Sequence, residues 1–301
     1  MVEVNTSTAG SVDLSTIDIY WGNRITGNLI KELKNLKWIH FGSVGVNQAL
    51  VHDVKDRKIL VTNSKGIMTD AVVTSALAFV FALARGFHHA WHLRREARLD
   101  RKSFDPYFEQ IQDVIGQSCL IAGLGEIGGK LGKICTSIGM EVSGVKKDLT
   151  QVPAWLENAY PLKELDEAVR DADYVINLLP LVPETRNVFD AKIFKEMKKT
   201  AFFINLGRGD TVNEIELVSA LQSSTITGAG LDVFSSASYE SPAVPLHADS
   251  PLWNMENVLL TPHVAGITTK YWEKECDLFL ENVRRFVNGT ALLNEVNIDI
   301  S

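Results

Sequence analysis

The chain is poor in the features that would tie it to a membrane, to nucleic acid or to an oxidising compartment. It has 3 cysteines in 301 residues. These are Cys119, Cys135 and Cys276, an odd number without the paired spacing that zinc or a redox dithiol needs, so they read as reduced, mostly buried thiols. The one stretch suggestive of a membrane, Ala71 to Ala84, contains Thr74 and Ser75 and falls short of the ~20 residues of a spanning helix. A buried helix explains it better. Met1 to Ser11 lacks a basic start followed by an apolar run, so nothing marks the chain for export and the cytoplasm is the expected location. Basic residues do not form a block: 30 Lys and Arg are scattered among 37 Asp and Glu, for a formal charge of -7, which gives nucleic acid no electrostatic footprint. Repeats, low-complexity tracts and Pro- or Gly-rich linkers are lacking too, so domain boundaries must come from the order of elements.

What is present is apolar material, 46% of residues, enough for one large or two ordinary cores. From about Ser118 onward, short apolar runs alternate with segments of helical period, the pattern of strand, crossover helix and parallel strand. The expected strands are Ser118 to Ala122, Val142 to Val145, Tyr174 to Leu179, Ala201 to Leu206, Gly228 to Val233 and Val258 to Leu260, a doubly wound parallel sheet. Between the first two, Ile127, Leu131, Ile134 and Ile138 fall at helical spacing and Gly139 follows as a stop.

Before residue 100 the pattern differs, with strands at Ile17 to Tyr20, Trp38 to Phe41 and Ile59 to Thr62 and a helix around Asn28 to Leu36. This is a second, smaller α/β unit. The helix from about Thr268 to Phe286 and the alternating tail Glu295 to Ile300 follow the completed sheet and are expected to return to that first unit. The result is a discontinuous two-domain chain with a cleft between the domains, residues 1–92 and 268–301 forming one and 93–267 the other.

The run Gly123-Leu124-Gly125-Glu126-Ile127-Gly128 lies between a buried strand and an amphipathic helix. Gly123 permits the tight turn, Gly125 lets a pyrophosphate approach the backbone, and Gly128 lets the helix pack on the strand, while the helix N-terminus attracts phosphate. This context points to a dinucleotide rather than to a plain structural turn or a methyltransferase loop. The next strand ends in Val145-Lys146-Lys147 where a carboxylate would serve a free ribose, and Glu141 begins that strand instead of ending it. The site therefore reads as cationic and suited to the 2'-phosphate of NADP(H) over NAD(H), the alternative being that Lys146 and Lys147 are solvated loop lysines.

Two further residues sit at neighbouring carboxyl ends of this sheet. Arg208, between Gly207 and Gly209, can hold a substrate carboxylate with two parallel bonds and polarise a carbonyl, or else pair with a loop acid. His263 follows Pro262 and is flanked by small residues, and it suits a general acid that supplies the proton when a ketone is reduced. His88, His89 and His92 loosely suggest a metal site on one helix, but a solvated helix face is the better reading.

Together these residues resemble the D-isomer-specific 2-hydroxyacid dehydrogenase family, of the glyoxylate and hydroxypyruvate reductase type. The likeness runs from Lys37-Trp38-Ile39 and Gly42-Ser43-Val44-Gly45-Val46 through Asn177-Leu178-Leu179-Pro180, Pro183-Glu184-Thr185, Asn205-Leu206-Gly207-Arg208-Gly209 and Gly230-Leu231-Asp232-Val233-Phe234 to Pro262-His263-Val264-Ala265-Gly266. It implies a Rossmann domain inserted in a smaller flavodoxin-like α/β substrate domain, and a 2-oxo acid as substrate. It also implies that amides near Val44 and Gly45 join Arg208 on the carboxylate and that His263 donates the proton. Leu179, Pro180, Thr185, Leu206 and Gly207 would line the cofactor beside Glu126 and Ile127, with Asp232 near the nicotinamide amide. A homodimer through the cofactor domain and the Asp70 to Arg98 region is implied as well.

Departures from the family's pattern bear on catalysis. The glutamate that pairs with the catalytic histidine is replaced by Ala237, and Glu240, in a longer Ser235 to Ser250 segment, is the candidate substitute. Without a carboxylate the imidazolium would be less stabilised. Thr74 stands where the family commonly has glutamate, and the short N-terminal region leaves open whether a strand of the substrate domain is missing. A nucleotide-sensing binding protein on the same fold is therefore the alternative to a reductase, and a methyltransferase is poorer because Arg208 and His263 would have no task.

Overall fold

The computed structural model describes residues 13–22, 25–44, 54–235, 246 and 249–296. The chain divides into two compact units, Met1–Met68 with Thr268–Ser301, and Thr69–Ile267.

In the smaller unit, β1 (Ile19–Trp21), β2 (Trp38–Phe41) and β3 (Leu60–Asn63) form a parallel sheet in that order. Ile30 and Leu33, in and just after the helix Gly27–Glu32, pack with Ile39 and Val61 in one core. Thr26 caps that helix by accepting from the Leu29 amide at 3.2 Å. The helix Tyr271–Val287 belongs to the same unit and sets Phe279 against Trp21 and Trp38, with ring centroids 4.4 and 5.4 Å apart. Of the alternating tail, Glu295 bridges antiparallel to Thr62, while residues 297–301 lie outside the described ones.

The larger unit holds β4 (Ser118–Ala122), β5 (Glu141–Val145), β6 (Ala159–Tyr160), β7 (Tyr174–Asn177), β8 (Phe202–Asn205), β9 (Gly228–Leu231) and β10 (Val258–Leu260). All pair in parallel, in the order β10-β9-β8-β7-β4-β5-β6. The central strands β7 and β8 are buried at every residue, as strands covered on both faces must be, which is why they read as unbroken apolar runs. β6 is an addition to the six expected strands. It has two residues, too few for any periodicity to show.

The boundary expected at residue 92 falls at 68. The helix Thr69–Ala84 packs against the helix Glu126–Ser137, β8 and β9, so it belongs to the sheet and not to the unit that precedes it in sequence. Val72, Val73, Ala76, Val80 and Leu83 are buried along it, and among the described residues no single helix is long and apolar enough to cross a membrane.

The solvated histidine face is also corrected. His88 and His89, in the helix Phe87–Arg95, are 4% and 2% exposed. His89 stacks on Tyr107 at 3.9 Å and its Nε2 meets Gln110 Oε1 at 2.9 Å, while the ring nitrogens of His88 make no hydrogen bond of good geometry among the described residues. Burial, reinforced by the His89 imidazole, pushes His88 down to about 3. His92, half-buried, meets Glu256 at 2.9 Å, and no cluster of metal-binding residues occurs among the described ones. Cys119 and Cys135, distant in sequence, meet in space; the hydrogen bond between them and burial push the Cys119 thiol up.

Candidate active site

Parallel pairing puts the carboxyl ends of successive strands along one edge. From one side to the other that edge carries Lys146 after β5, Gly123 after β4, Leu179 after β7, Arg208 after β8, Asp232 after β9 and His263 after β10. Arg208 and His263 are therefore not on neighbouring strands: β9 and Asp232 stand between theirs. Chain order runs outward in opposite directions from β4, through β5 and β6 on one side and β7 onward on the other. The crevice of such a sheet opens at this switch point, where Gly123 meets the β7 loop.

The glycines of the turn have different physical roles. Gly123 has φ +108, and a Cβ on it would lie 3.0 Å from the Leu178 carbonyl oxygen. A Cβ on Gly128 would fall 2.1 Å from the Gly123 oxygen, so only glycine lets the helix Glu126–Ser137 start so close to its own strand. At Gly125 a Cβ would meet nothing within 4 Å. As N-cap it offers no side chain to the first-turn amides, Ile127 among them, which therefore present an uncapped positive helix end to that open space. Glu126 accepts from the Thr69 hydroxyl at 2.8 Å. These residues fit a dinucleotide pyrophosphate: an approach with no Cβ in the way, and donors without competitors.

Lys146 is half-buried, with Nζ donating to the Gln151 carbonyl at 2.5 Å, and Lys147 is exposed. Asp148 is occupied by Thr150, whose amide and hydroxyl donate to it at 2.9 and 2.6 Å. The end of β5 thus shows two lysines beside an aspartate that is already hydrogen-bonded.

A buried amide network missed by motif reading shapes the centre of the edge. Asn177 and Asn205, paired across β7 and β8, are linked by a 3.0 Å bond from Asn177 Nδ2, which also donates to Thr211 at 2.7 Å. The Asn177 oxygen accepts the Leu179 amide at 3.0 Å and the Asn205 oxygen the Gly207 amide at 3.1 Å. Each asparagine therefore folds the loop after its own strand. The sequence signal was available: a polar residue closing each of two fully apolar strands. Thr185 completes the β7 loop, its hydroxyl donating to the Pro180 carbonyl at 2.6 Å and accepting from Val182 N at 2.9 Å. Leu206 is buried below, and a Cβ on Gly207 would come 2.7 Å from the Leu179 oxygen, so the two loops touch.

Arg208 is half-buried and, among the described residues, makes no ion pair; its Nη1 donates only to the Gly207 carbonyl at 2.8 Å. Gly209, whose Cβ would fall 1.7 Å from the Phe234 oxygen, lets this turn lie against the loop after β9. His263 is exposed and has φ +56, a left-handed backbone that costs a side-chain residue energy and is found where surroundings hold it. Asp232 supplies that hold. It is 2% exposed and accepts from the Thr261 hydroxyl at 2.6 Å, the Val264 amide at 2.9 Å and the Ala265 amide at 3.0 Å, on both sides of His263. The Asp232 carboxylate thus clamps the histidine loop.

In the smaller unit Val44 is 38% exposed. Gly45, Ala237 and Glu240 lie outside the described residues. Thr74 is exposed, its hydroxyl donating to the Asp70 carbonyl at 2.8 Å.

Comparison with known proteins agrees with this geometry. The family model for the D-isomer specific 2-hydroxyacid dehydrogenase NAD-binding domain matches residues 77–265. A glyoxylate reductase of Thermofilum pendens is 31% identical over 280 residues, 91% of this chain and 79% of its own. The glyoxylate/hydroxypyruvate reductase B of an Enterobacter species is 32% identical over 271 residues, 89% and 80% of the two chains. Among solved structures, a D-isomer specific 2-hydroxyacid dehydrogenase from Xanthobacter autotrophicus Py2 in complex with NADPH and MES superposes with a TM-score of 0.79 at 27% identity, covering 96% of this chain and 86% of that one. A sheet edge built for a dinucleotide, matched over most of the chain, makes this protein a member of the D-isomer specific 2-hydroxyacid dehydrogenase family and an NAD(P)-dependent dehydrogenase.

Proposed function

We propose that the protein reduces a small 2-oxo acid, of the glyoxylate or hydroxypyruvate class, with NADPH in preference to NADH. The observation that carries this is Arg208, a half-buried guanidinium with no ion pair among the described residues, on the same sheet edge as an exposed His263 held in a left-handed turn. Arg208 binds the substrate carboxylate in bidentate fashion and draws electron density from the adjacent carbonyl. The amides near Val44 and Gly45 are further donors to that carboxylate. His263 gives its ring proton to the carbonyl oxygen as it becomes an alcohol, and takes one back in the reverse direction. The cofactor, when bound, supplies the hydride. Gly123, Gly125, Glu126, Ile127 and Gly128 receive its pyrophosphate, and Leu179, Pro180, Thr185, Leu206, Gly207 and Asp232 line it. Lys146 and Lys147 favour a 2'-phosphate, since the carboxylate next to them in sequence, Asp148, is engaged by Thr150. Glu240 is proposed as the carboxylate partner of His263 in place of Ala237. The described cysteines are free thiols, in keeping with a cytoplasmic enzyme, and a homodimer is proposed on the family likeness.

The test is NADPH and NADH consumption by the purified protein with glyoxylate, hydroxypyruvate, pyruvate and longer 2-oxo acids. No consumption with any of them overturns the proposal. Ala237 favours one second reading, a nucleotide-sensing protein, which tight NADPH binding without turnover and a cofactor-dependent protein partner would support.

A further inference from the structure

The carbonyls of residues 41–44, at the end of β2 and just after it, each accept a hydrogen bond. Ser64 Oγ donates to the Phe41 oxygen at 2.9 Å, Tyr271 OH to the Gly42 oxygen at 2.6 Å, and Asn63 Nδ2 to the Val44 oxygen at 2.8 Å. The Ser64 amide takes the Ser43 oxygen at 3.1 Å. A trans peptide points its N–H opposite to its C=O. The Val44 amide, across the peptide from the held Ser43 oxygen, therefore faces away from these anchors, and it has no hydrogen-bond partner among the described residues.

A polar cluster lies beside the aromatic rings of Trp38 and Phe279. His40 and Glu275, from β2 and the helix Tyr271–Val287, are both fully buried with Nε2 and Oε1 3.4 Å apart. Trp38 Nε1 donates to Thr62 Oγ1 at 2.9 Å, Thr62 Oγ1 lies 2.6 Å from His40 Nδ1, and the other ring nitrogen, Nε2, faces Glu275 and Ser64. Trp21 Nε1 donates to Glu275 Oε1 at 3.0 Å. Burial works to raise the Glu275 carboxyl, yet its polar contacts with His40, Ser64 and Trp21 outweigh it and hold the group below its usual range. Its Oε2 has no hydrogen-bond partner among the described residues. A buried carboxylate with one oxygen unsatisfied is a costly way to fill space that an apolar side chain would fill at lower cost.

We propose that Glu275 and Tyr271 are positioning residues for substrate binding: Glu275, through His40 and Ser64, and Tyr271, directly, fix the carbonyls of residues 41–43 so that the following amides present themselves to the substrate carboxylate. Neither residue touches substrate. The inference rests on the proposed 2-oxo acid reduction and adds the part of the helix Tyr271–Val287 that serves it.

Full-length Glu275→Gln and Tyr271→Phe are compared with the wild type in glyoxylate titrations at saturating NADPH, in NADPH affinity by fluorescence, and in calorimetric binding of oxalate, an unreactive carboxylate probe, to the NADPH-loaded protein. Both variants are expected to raise KM for glyoxylate and the oxalate Kd about tenfold, with kcat within about twofold and NADPH affinity unchanged. Tyr271→Phe removes one oxygen from a half-buried ring and keeps the test available where Glu275→Gln fails to fold. A variant that only loses folded protein lowers kcat at constant KM; that result, or wild-type KM and oxalate Kd in folded variants, overturns this inference alone. Absence of both turnover and oxalate binding in the wild type overturns the proposed reaction and this inference with it.

Discussion

The Ala265 amide donates to the Asp232 carboxylate at 3.0 Å, tying the end of β9 to the loop that carries His263. With the Val264 amide and the Thr261 hydroxyl on the same carboxylate, replacement of Asp232 leaves several donors facing an apolar void. Asp232→Ala should therefore cost about 2–4 kcal/mol of stability and lower kcat together with it. Denaturant unfolding and steady-state rates check this, and wild-type stability would remove the clamp from the account.

His263→Ala should reduce turnover by about 10²- to 10⁴-fold with NADPH affinity nearly unchanged. Stopped-flow rates and fluorescence titration separate the two effects. An unchanged rate would assign proton delivery to another group.

Gly125 and Gly128 should behave in opposite ways on conversion to alanine. A Cβ at Gly125 meets open space, so Gly125→Ala should keep its melting temperature while weakening NADPH binding at least about tenfold. At Gly128 the new carbon overlaps the Gly123 oxygen, so Gly128→Ala should lose about 1–3 kcal/mol of stability as well as binding. Equal effects from both would mean that the ligand does not approach over Gly125.

Acid should weaken the larger unit through His88. Its folded value of about 3 lies below the 6.5 of an unfolded histidine, so the unfolded chain binds the extra proton between those values. Stability is complete above about pH 6.5 and declines as pH falls toward 3. Urea midpoints measured at pH 7, 5 and 4 should fall in the wild type and fall less in His88→Phe. Parallel slopes in the two proteins would discount His88.

Lys146→Glu should shift the ratio of kcat/KM for NADPH over NADH toward NADH by about tenfold or more, because a carboxylate repels a 2'-phosphate and accepts from a 2'-OH. Kinetics with both cofactors give the ratio directly, and no change in it would return Lys146 to an ordinary loop lysine.

Six strands of the sheet were legible in the sequence. Ser118 to Ala122 and Val258 to Leu260 were read to the residue, because short, mostly apolar runs bounded by turn residues have little else to become. The positions of Gly123, Arg208 and His263 at strand ends followed from that. The Thr69–Ala84 helix was assigned to the wrong unit because its apolar face declares burial without naming what covers it. His88 and His89 were misread for a related reason: an imidazole is polar by type, and only tertiary packing against Tyr107 and Phe202 makes it core. The links from Asp232 to Ala265 and from Glu275 to His40 join residues far apart in the chain, and no local pattern records them.

The large sheet tapers at both margins. Its interior strands run four or five residues, whereas β6 has two and β10 three. A margin that short offers a passing chain almost no row of free amides and carbonyls on which to add a strand. Protein concentrated during purification or released incompletely folded from a ribosome thus meets its neighbours through side chains rather than through backbone, which favours reversible association over fibrous growth.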